Sequence, residues 1–343
     1  MSKKGKITIH DIARELHTTP ATVSRALNNH PRISQKTTER VKAMAQKMNY
    51  QPNIVASNLR KGKSKVVGVV VPNINRHYFS NAIHSIENEL AKAHYSVMIC
   101  QTSNSPETER QLINTLINQK VSGIIISSNK KEPNPGILQK ALDNGIKIVQ
   151  FDSLIEDLPT SRVRNNDFEA SKATVLHMLE QGYRHIALFC GSLSSNIYRD
   201  RRAGYLAAHK EFGIEPNEVF FFEKTNNREE GEAAARYIIE HKTGIDAIFS
   251  TGDYAILGAS LVFKQAGIKI PEELGIAGYA NEPFTEFVNP AITSFDQHSQ
   301  EIGHIAALQI LKEMEEEDTP LLDIKVEGRL ILRDSTLKTK AKS

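Results

Sequence analysis

Two hydrophobic periodicities divide the chain. Over the first fifty residues, apolar positions recur at three- and four-residue spacing. Ile9, Ile12, Ala13 and Leu16 share one helical face, Val23, Ala26 and Leu27 a second, and Val41, Ala45 and Met48 a third. Each stretch carries a start signal. Thr8 is an N-cap with Asp11 three positions on, a capping-box-like pair. Thr19 caps the next helix, with Pro20 at the first helical position, where a missing N–H costs nothing. Ser34 caps the third, and Tyr50 closes it before Pro52. With a short turn at His17 and Thr18, this predicts helix, tight turn, helix and a third supporting helix.

From residue 66 the pattern changes. The runs VVGVVVP, YSVMICQT, SGIIISS and IKIVQFD are continuously apolar and bounded by turn residues, as buried parallel strands are. Amphipathic segments such as FSNAIHSIENELAKA and ETERQLINTLINQ separate them. A second set follows in HIALFCG, EVFFFE, DAIFSTGD and LGIAGYAN. The alternation predicts two α/β halves of similar build, with parallel sheets and helices on their faces. Ligands of such folds bind at the carboxyl ends of strands and, between two lobes, in the cleft.

Charge sharpens the division. The 343 residues carry a net charge of +3, but residues 1–65 hold 14 Lys and Arg against 3 Asp and Glu, leaving 29 against 37 for the rest. A basic module on an acidic body points to nucleic acid as the partner of the first segment. No apolar run approaches the ~18 residues of a membrane span. The start MSKKGKITIHDIA has no apolar core of a secretory signal, so a cytoplasmic location is expected. Cys100 and Cys190 both lie in apolar runs and are expected to be buried and reduced.

The outward face of the second helix carries Ala21, Thr22, Ser24, Arg25 and Asn28. Small hydroxyls and an amide can bond phosphate oxygens without blocking close approach, and one Arg can reach the O6 and N7 edge of a guanine. A helix-turn-helix docks its second helix in the major groove in this way. The segment ITIHDIARELHTTPATVSRALNNHPRISQKTTERVKAMAQKMNYQPNIVASNLR resembles the DNA-binding head of the lac/gal repressor family in spacing, in its ATVSRALN core and in its ISQKTTERV start of the third helix. The landmarks DRRAGYLAAHKEFGI, GDYAILGASLVFKQAGIKIPEELGIAGYAN and NPAITSFDQHSQEIGHIAALQIL carry the resemblance almost to the C-terminus.

The resemblance implies an N-terminal all-α helix-turn-helix domain (1–52), a hinge helix and linker (53–65), a two-lobed periplasmic-binding-protein-like body for effector binding and dimerisation (66–335) and a tail (336–343). In the hinge helix, Leu59 matches a leucine that wedges into the minor groove, Ala56 matches a small residue packed against it, and Asn53 opens the segment. DNA contacts are thus expected from Thr8, Thr19, Pro20, Ala21, Thr22, Ser24, Arg25, Asn28, Asn53, Ala56 and Leu59. In the cleft, Tyr78, Phe79, Asp152, Arg201, Asp253 and Gln297 match family ligand contacts. Gly252 stands where the family usually has Asn, and Ala280 where it has an Asp that grips the ligand. Asn281 is the nearest remaining polar group. Losing that carboxylate either leaves Arg201 open to an anionic group, or passes the hydroxyl contact to Asn281 and keeps the ligand neutral. Lobe crossovers are expected near 153–166, 281–292 and the C-terminal strands.

Two other function classes fit the sequence less well. An enzyme would need a catalytic constellation, and GxSxG, HExxH, GxGxxG and CxxC are all absent. The GKS of RKGKSK follows no strand and lacks the first glycine of a P-loop, which leaves a basic linker. No metal or other cofactor is expected. A sugar-binding receptor with no DNA role fits the body alone, but not the basic head. The reading is a dimeric transcriptional regulator, a repressor, whose affinity for double-stranded operator DNA is changed by a sugar or sugar derivative.

Overall fold

The computed structural model describes residues 7–50, 64–128, 132–215, 220–316 and 318–338. The chain splits into two compact units, Met1–Ser64 and Lys65–Ser343.

The first unit is three helices, α1 (Ile9–Glu15), α2 (Pro20–Leu27) and α3 (Gln35–Lys47). Their N-caps are Thr8, Thr19 and Ser34. The Thr8 N–H and hydroxyl both donate to Asp11 Oδ2, at 2.9 and 2.7 Å. Oγ of Thr19 accepts from the Thr22 N–H at 3.1 Å, and that of Ser34 from the Thr37 N–H at 3.3 Å. His17, at φ 48°, turns the chain between α1 and α2. Ile12, Ala13, Leu16, Val23, Ala26, Val41 and Ala45 form the core, with Met48 and Tyr50 packed against it. The expected hinge helix, with Asn53, Ala56 and Leu59, lies outside the described residues.

The second unit is two α/β lobes. The N-lobe sheet contains β1 (Val66–Val71), β2 (Ser96–Gln101), β3 (Gly123–Ile126), β4 (Lys147–Phe151), β5 (Ser161–Asn165) and β11 (Asp323–Val326), in the order β11-β5-β4-β3-β1-β2 and parallel throughout. The C-lobe sheet contains β6 (Ile186–Phe189), β7 (Phe221–Phe222), β8 (Ala247–Ser250), β9 (Gly275–Tyr279), β10 (Thr293–Asp296) and β12 (Arg329–Ile331). Its order is β12-β10-β9-β8-β6-β7, and only β12 runs antiparallel. The central strands β3, β4, β6 and β8 are buried almost throughout, as their unbroken apolar runs require.

Helices cover both faces of each sheet. In the N-lobe these are α4 (His77–Lys92), α5 (Pro106–Asn118), α6 (Pro135–Asp143) and α12 (Ser299–Glu315). In the C-lobe they are α7 (Asp167–Glu180), α8 (Asn196–Glu211), α9 (Arg228–His241) and α10 (Asp253–Gln265), with a short α11 (Phe284–Phe287). Contact between α9 and α10 is close enough to require glycine. A Cβ on Gly231 would lie 1.9 Å from the Ala255 carbonyl, and one on Gly258 would lie 2.1 Å from that of Arg228. This approach fixes the starts of α9 and α10 side by side at the cleft.

The chain passes between the lobes three times, from β5 to α7, from β10 to α12 and from β11 to β12. The second passage falls at 296–299 and not in the expected 281–292, because β10 completes the C-lobe sheet first. Strand β5 was hidden in sequence by Arg162 and Arg164, which alternate with buried Ser161, Val163 and Asn165. Asn165 ties the passages together. Its Nδ2 donates to the Gln297 carbonyl at 2.9 Å and to the Val326 carbonyl at 3.1 Å, and its Oδ1 accepts from Gln297 Nε2 at 2.9 Å.

Candidate functional site

In the first unit the candidate surface is the solvent face of α2. Ala21, Arg25 and Asn28 are exposed, and Thr22 and Ser24 are half-buried. The Arg25 side chain makes no hydrogen bond or ion pair with any described residue. Several of its neighbours are partly committed. The Thr22 hydroxyl shares a 2.9 Å hydrogen bond with that of Thr19, and Asn28 Nδ2 donates to the Ser24 carbonyl at 2.7 Å. Each keeps an acceptor or a further donor for an outside partner. Pro20 opens the helix at its first position, and Thr8, whose oxygen is tied to Asp11, sits at the start of α1.

In the second unit, a cleft of about 760 Å³ opens between the carboxyl ends of the two sheets. Tyr78, Phe79, Asp152, Arg201, Asp253 and Gln297 line it; Asn281 does not.

Tyr78 and Phe79 open α4 directly after β1. Each is 6% exposed, and their rings meet edge to face at 5.1 Å, with Phe79 against Phe151 at 6.1 Å. Core packing and cleft lining are therefore both done by the same two rings. The Tyr78 hydroxyl is buried with no hydrogen-bond partner among the described residues. Asp152 follows β4 at φ 59° and accepts from the Ser127 hydroxyl at 2.9 Å.

Arg201, on α8, is clamped on three sides. Nε donates to Asp167 Oδ1 at 2.8 Å and Nη1 to the Thr251 carbonyl at 2.7 Å, while the guanidinium lies 3.6 Å over the Tyr279 ring. The Tyr279 hydroxyl also donates to Asp167 Oδ1, at 2.8 Å. Burial opposes the charge of Arg201, but Asp167 outweighs it and keeps the guanidinium ionised. Asp167 was missed in sequence; it stands at the start of α7 just after β5, the position rule that located the other contacts.

Asp253 opens α10 and is 1% exposed. Its carboxyl accepts from the Glu282 N–H at 2.8 Å and from the Ser294 hydroxyl at 2.8 and 3.1 Å. It is packed so tightly against Gly278 that a Cβ there would lie 1.9 Å from Oδ1. Burial pushes its pKa from the ordinary 3.8 to about 7, against the pull of those hydrogen bonds. Asp253 thus borders the cleft while bracing β9 to β10.

The expectation for Asn281 needs correction. Ala280 and Asn281 have φ of 105° and 49°, so the chain turns sharply after β9. The Asn281 side chain swings away from the cleft, donating to Asp296 at 3.3 Å and accepting from Arg333 at 2.9 Å. The next residue, Glu282, lines the cleft instead, 5% exposed. Arg76, Tyr254 and Lys224 also line it and were not anticipated. Arg76 is the N-cap of α4 in the N-lobe, and its guanidinium lies 3.6 Å over the Tyr254 ring of the C-lobe. Among the described residues, no group of three or more His, Cys, Asp or Glu could hold a metal ion, and no helix is long and apolar enough to cross a membrane.

Residues 8–53 match the bacterial regulatory proteins of the lacI family, and residues 64–331 match the periplasmic binding proteins and sugar binding domain of LacI family. This chain is a member of the LacI family. It is a DNA-binding transcriptional regulator with an effector domain of the sugar-binding type.

Among curated LacI-family relatives, the NTD biosynthesis operon regulator NtdR of Bacillus subtilis (strain 168) is 28% identical over 333 residues, covering 96% of this chain and 99% of its own. The repressor CytR of Escherichia coli (strain K12) is 29% identical over 330 residues, covering 96% of each chain. These relatives are transcriptional regulators, not enzymes. Among solved structures, the lac repressor dimer bound to operator and the anti-inducer ONPF shares the fold with a TM-score of 0.84 at 22% identity, covering 97% of this chain and all of that one. A CelR–cellobiose complex shares it with a TM-score of 0.74 at 22% identity, covering 96% of this chain and all of that one.

Proposed function

We propose that this chain is a cytoplasmic homodimeric repressor, with no catalytic activity, that releases or grips a roughly palindromic operator according to whether a neutral sugar occupies its cleft. The observation that carries the reading is the pairing, in one chain, of an exposed unpartnered arginine on α2 with a two-lobed cleft whose walls are hydroxyl-binding groups. Arg25 reads a guanine, while Thr8, Thr19, Thr22, Ser24 and Asn28 grip phosphates, with Pro20 and Ala21 allowing close approach. Asn53, Ala56 and Leu59 act at the operator centre, Leu59 as the wedge. One head per half-site suits a two-fold dimer, as in the lac repressor dimer seated on its operator.

A neutral sugar is favoured over an anionic one for two reasons. Arg201 already has a carboxylate partner in Asp167, so its charge is compensated inside the protein. Glu282 returns to the cleft the carboxylate that Ala280 cannot supply. Tyr78, Asp152, Gln297 and Arg201 then bind the hydroxyls, Phe79 and Tyr78 supply the apolar wall, and Asp253 braces the C-lobe side.

The test joins two measurements. Genomic fragments retained by the full-length protein should share one pseudo-palindromic site. A thermal-shift panel of neutral sugars and their phosphates should yield a neutral sugar that stabilises the protein by mass action and changes its affinity for that site. Retention of fragments without a shared site, or a stabilising sugar that leaves operator affinity unchanged, would overturn the proposal.

A further inference from the structure

A buried carboxylate needs either a cation or a set of hydrogen-bond donors. Glu282 has neither in sufficient supply. It is 5% exposed, and no cation among the described residues comes within ion-pair distance of it. Its carboxylate accepts a long hydrogen bond from the Tyr254 hydroxyl, at 3.4 Å, and another from the His77 backbone N–H of the opposite lobe. An ionised carboxylate offers about four acceptor positions, so about half of its capacity is left for a partner in the cleft. The backbone is bent to put it there, since Ala280 and Asn281 both take left-handed φ values that non-glycine residues adopt at a cost. Burial raises its pKa, while His77 and Arg76 of the opposite lobe pull it down again.

Tyr254, a donor to Glu282, is itself held from both lobes. Phe284 of the C-lobe meets its ring edge to face at 5.2 Å, and Arg76 of the N-lobe lies over it at 3.6 Å. A cation over an aromatic face is worth ~0.5–2 kcal/mol, more as water is excluded. The contact exists only while the lobes are close together. Arg76, Tyr254 and Glu282 all line the one cleft.

We infer that Arg76, Tyr254 and Glu282 form a closure-dependent subsite, in which Glu282 accepts two adjacent hydroxyls of a neutral sugar and Arg76 latches the N-lobe over it. The inference rests on the reading of the cleft as a sugar site and adds the residues that select a vicinal diol. A phosphate or carboxylate at this end meets the Glu282 charge, so the subsite excludes anionic sugars there. Without sugar, the latch and the His77 N–H hold the lobes, and Glu282 keeps acceptor positions unfilled. With sugar, donors and latch act together, and occupancy is reported as lobe closure.

The test uses the full-length protein and two readouts. In the first, isothermal titration is run with the neutral sugar that gives the largest thermal shift in a panel of pentoses, hexoses and disaccharides. E282Q and E282D should each weaken its binding at least tenfold, Y254F and R76A about threefold to tenfold, and the 2-deoxy or O-methyl analogue that breaks the diol should bind wild type as poorly as the parent sugar binds E282Q. In the second, deuterium uptake is measured without sugar. R76A should raise uptake across residues 280–286 of the other lobe and leave the helices of the head unchanged. Operator binding by each variant certifies its fold. Wild-type affinity in both Glu282 variants, or unchanged uptake in R76A, overturns the inference and leaves the sugar reading standing. If the wild-type protein binds operator but no sugar of the panel, the sugar reading falls and the inference with it.

Discussion

The head and the body handle functional residues in opposite ways. In the head, the core of Ile12, Ala13, Leu16, Val23, Ala26, Val41 and Ala45 is separate from the outward residues of α2, and the Arg25 side chain makes no hydrogen bond or ion pair with any described residue. In the body, the residues that face the cleft are the ones that hold it together. Arg201 neutralises Asp167, Asp253 braces Ser294 and the Glu282 backbone, and Gln297 locks onto the Asn165 pin. The head can change its DNA preference without renegotiating its fold. The body can change its ligand only by changing interactions that stabilise it.

The largest effect should come from Arg201→Ala. It leaves Asp167 buried without its cation, which costs about 3–5 kcal/mol, so effector binding and body stability should be lost together in calorimetric melts. A variant that melts like wild type while binding no effector would show that the body separates the two roles after all. Arg25→Ala should cost ~1–3 kcal/mol of operator affinity and relax preference at one base position. Its melting temperature should not move. Equal loss on every operator variant would reduce Arg25 to a phosphate contact.

A smaller effect is expected from D253N, read through pH. The carboxyl pKa is raised on folding from 3.8 to about 7, so between these values the native state holds a proton that the unfolded state has lost. Stability contributed by this group is therefore present at low pH and declines as pH rises towards 7. Wild type minus D253N should fall by on the order of 2–3 kcal/mol between pH 5 and pH 8. A difference that stays flat across that range would mean that the carboxylate is ionised throughout and serves the cleft as a charge.

The same contrast governs what could be read in the sequence. The head was legible because its contacts lie within one short helix, where side-chain spacing alone decides what faces outward. Strands β1–β4 and β6–β9 were legible through their apolar runs; β5, whose two arginines broke the apolar signal, and the short β10, β11 and β12 were not. The cleft was half legible. The family resemblance, together with the strand-end rule, located Tyr78, Asp152, Arg201 and Asp253, but which side chain enters the cleft after a strand depends on the turn that follows. At Ala280 and Asn281 two left-handed residues reverse the expected order, so Glu282 enters and Asn281 leaves. Arg76 and Tyr254 could not be paired, because their meeting requires two lobes whose separation no local pattern encodes. Asp167 follows the strand whose arginines hid it, so its strand-end position was lost with β5.

The last strands of the two sheets have a consequence for how the molecule is made. The N-lobe strand β5 pairs with β11, and their ion pair joins Arg164 to Asp323, 159 residues further on. The C-lobe edge strand β12 comes later still. At synthesis rates of ~5–20 residues per second, β5 waits roughly 8–30 seconds for its partner. The head closes through short-range contacts, which form quickly. On the ribosome, the half of the molecule that is regulated is complete well before the half that regulates it.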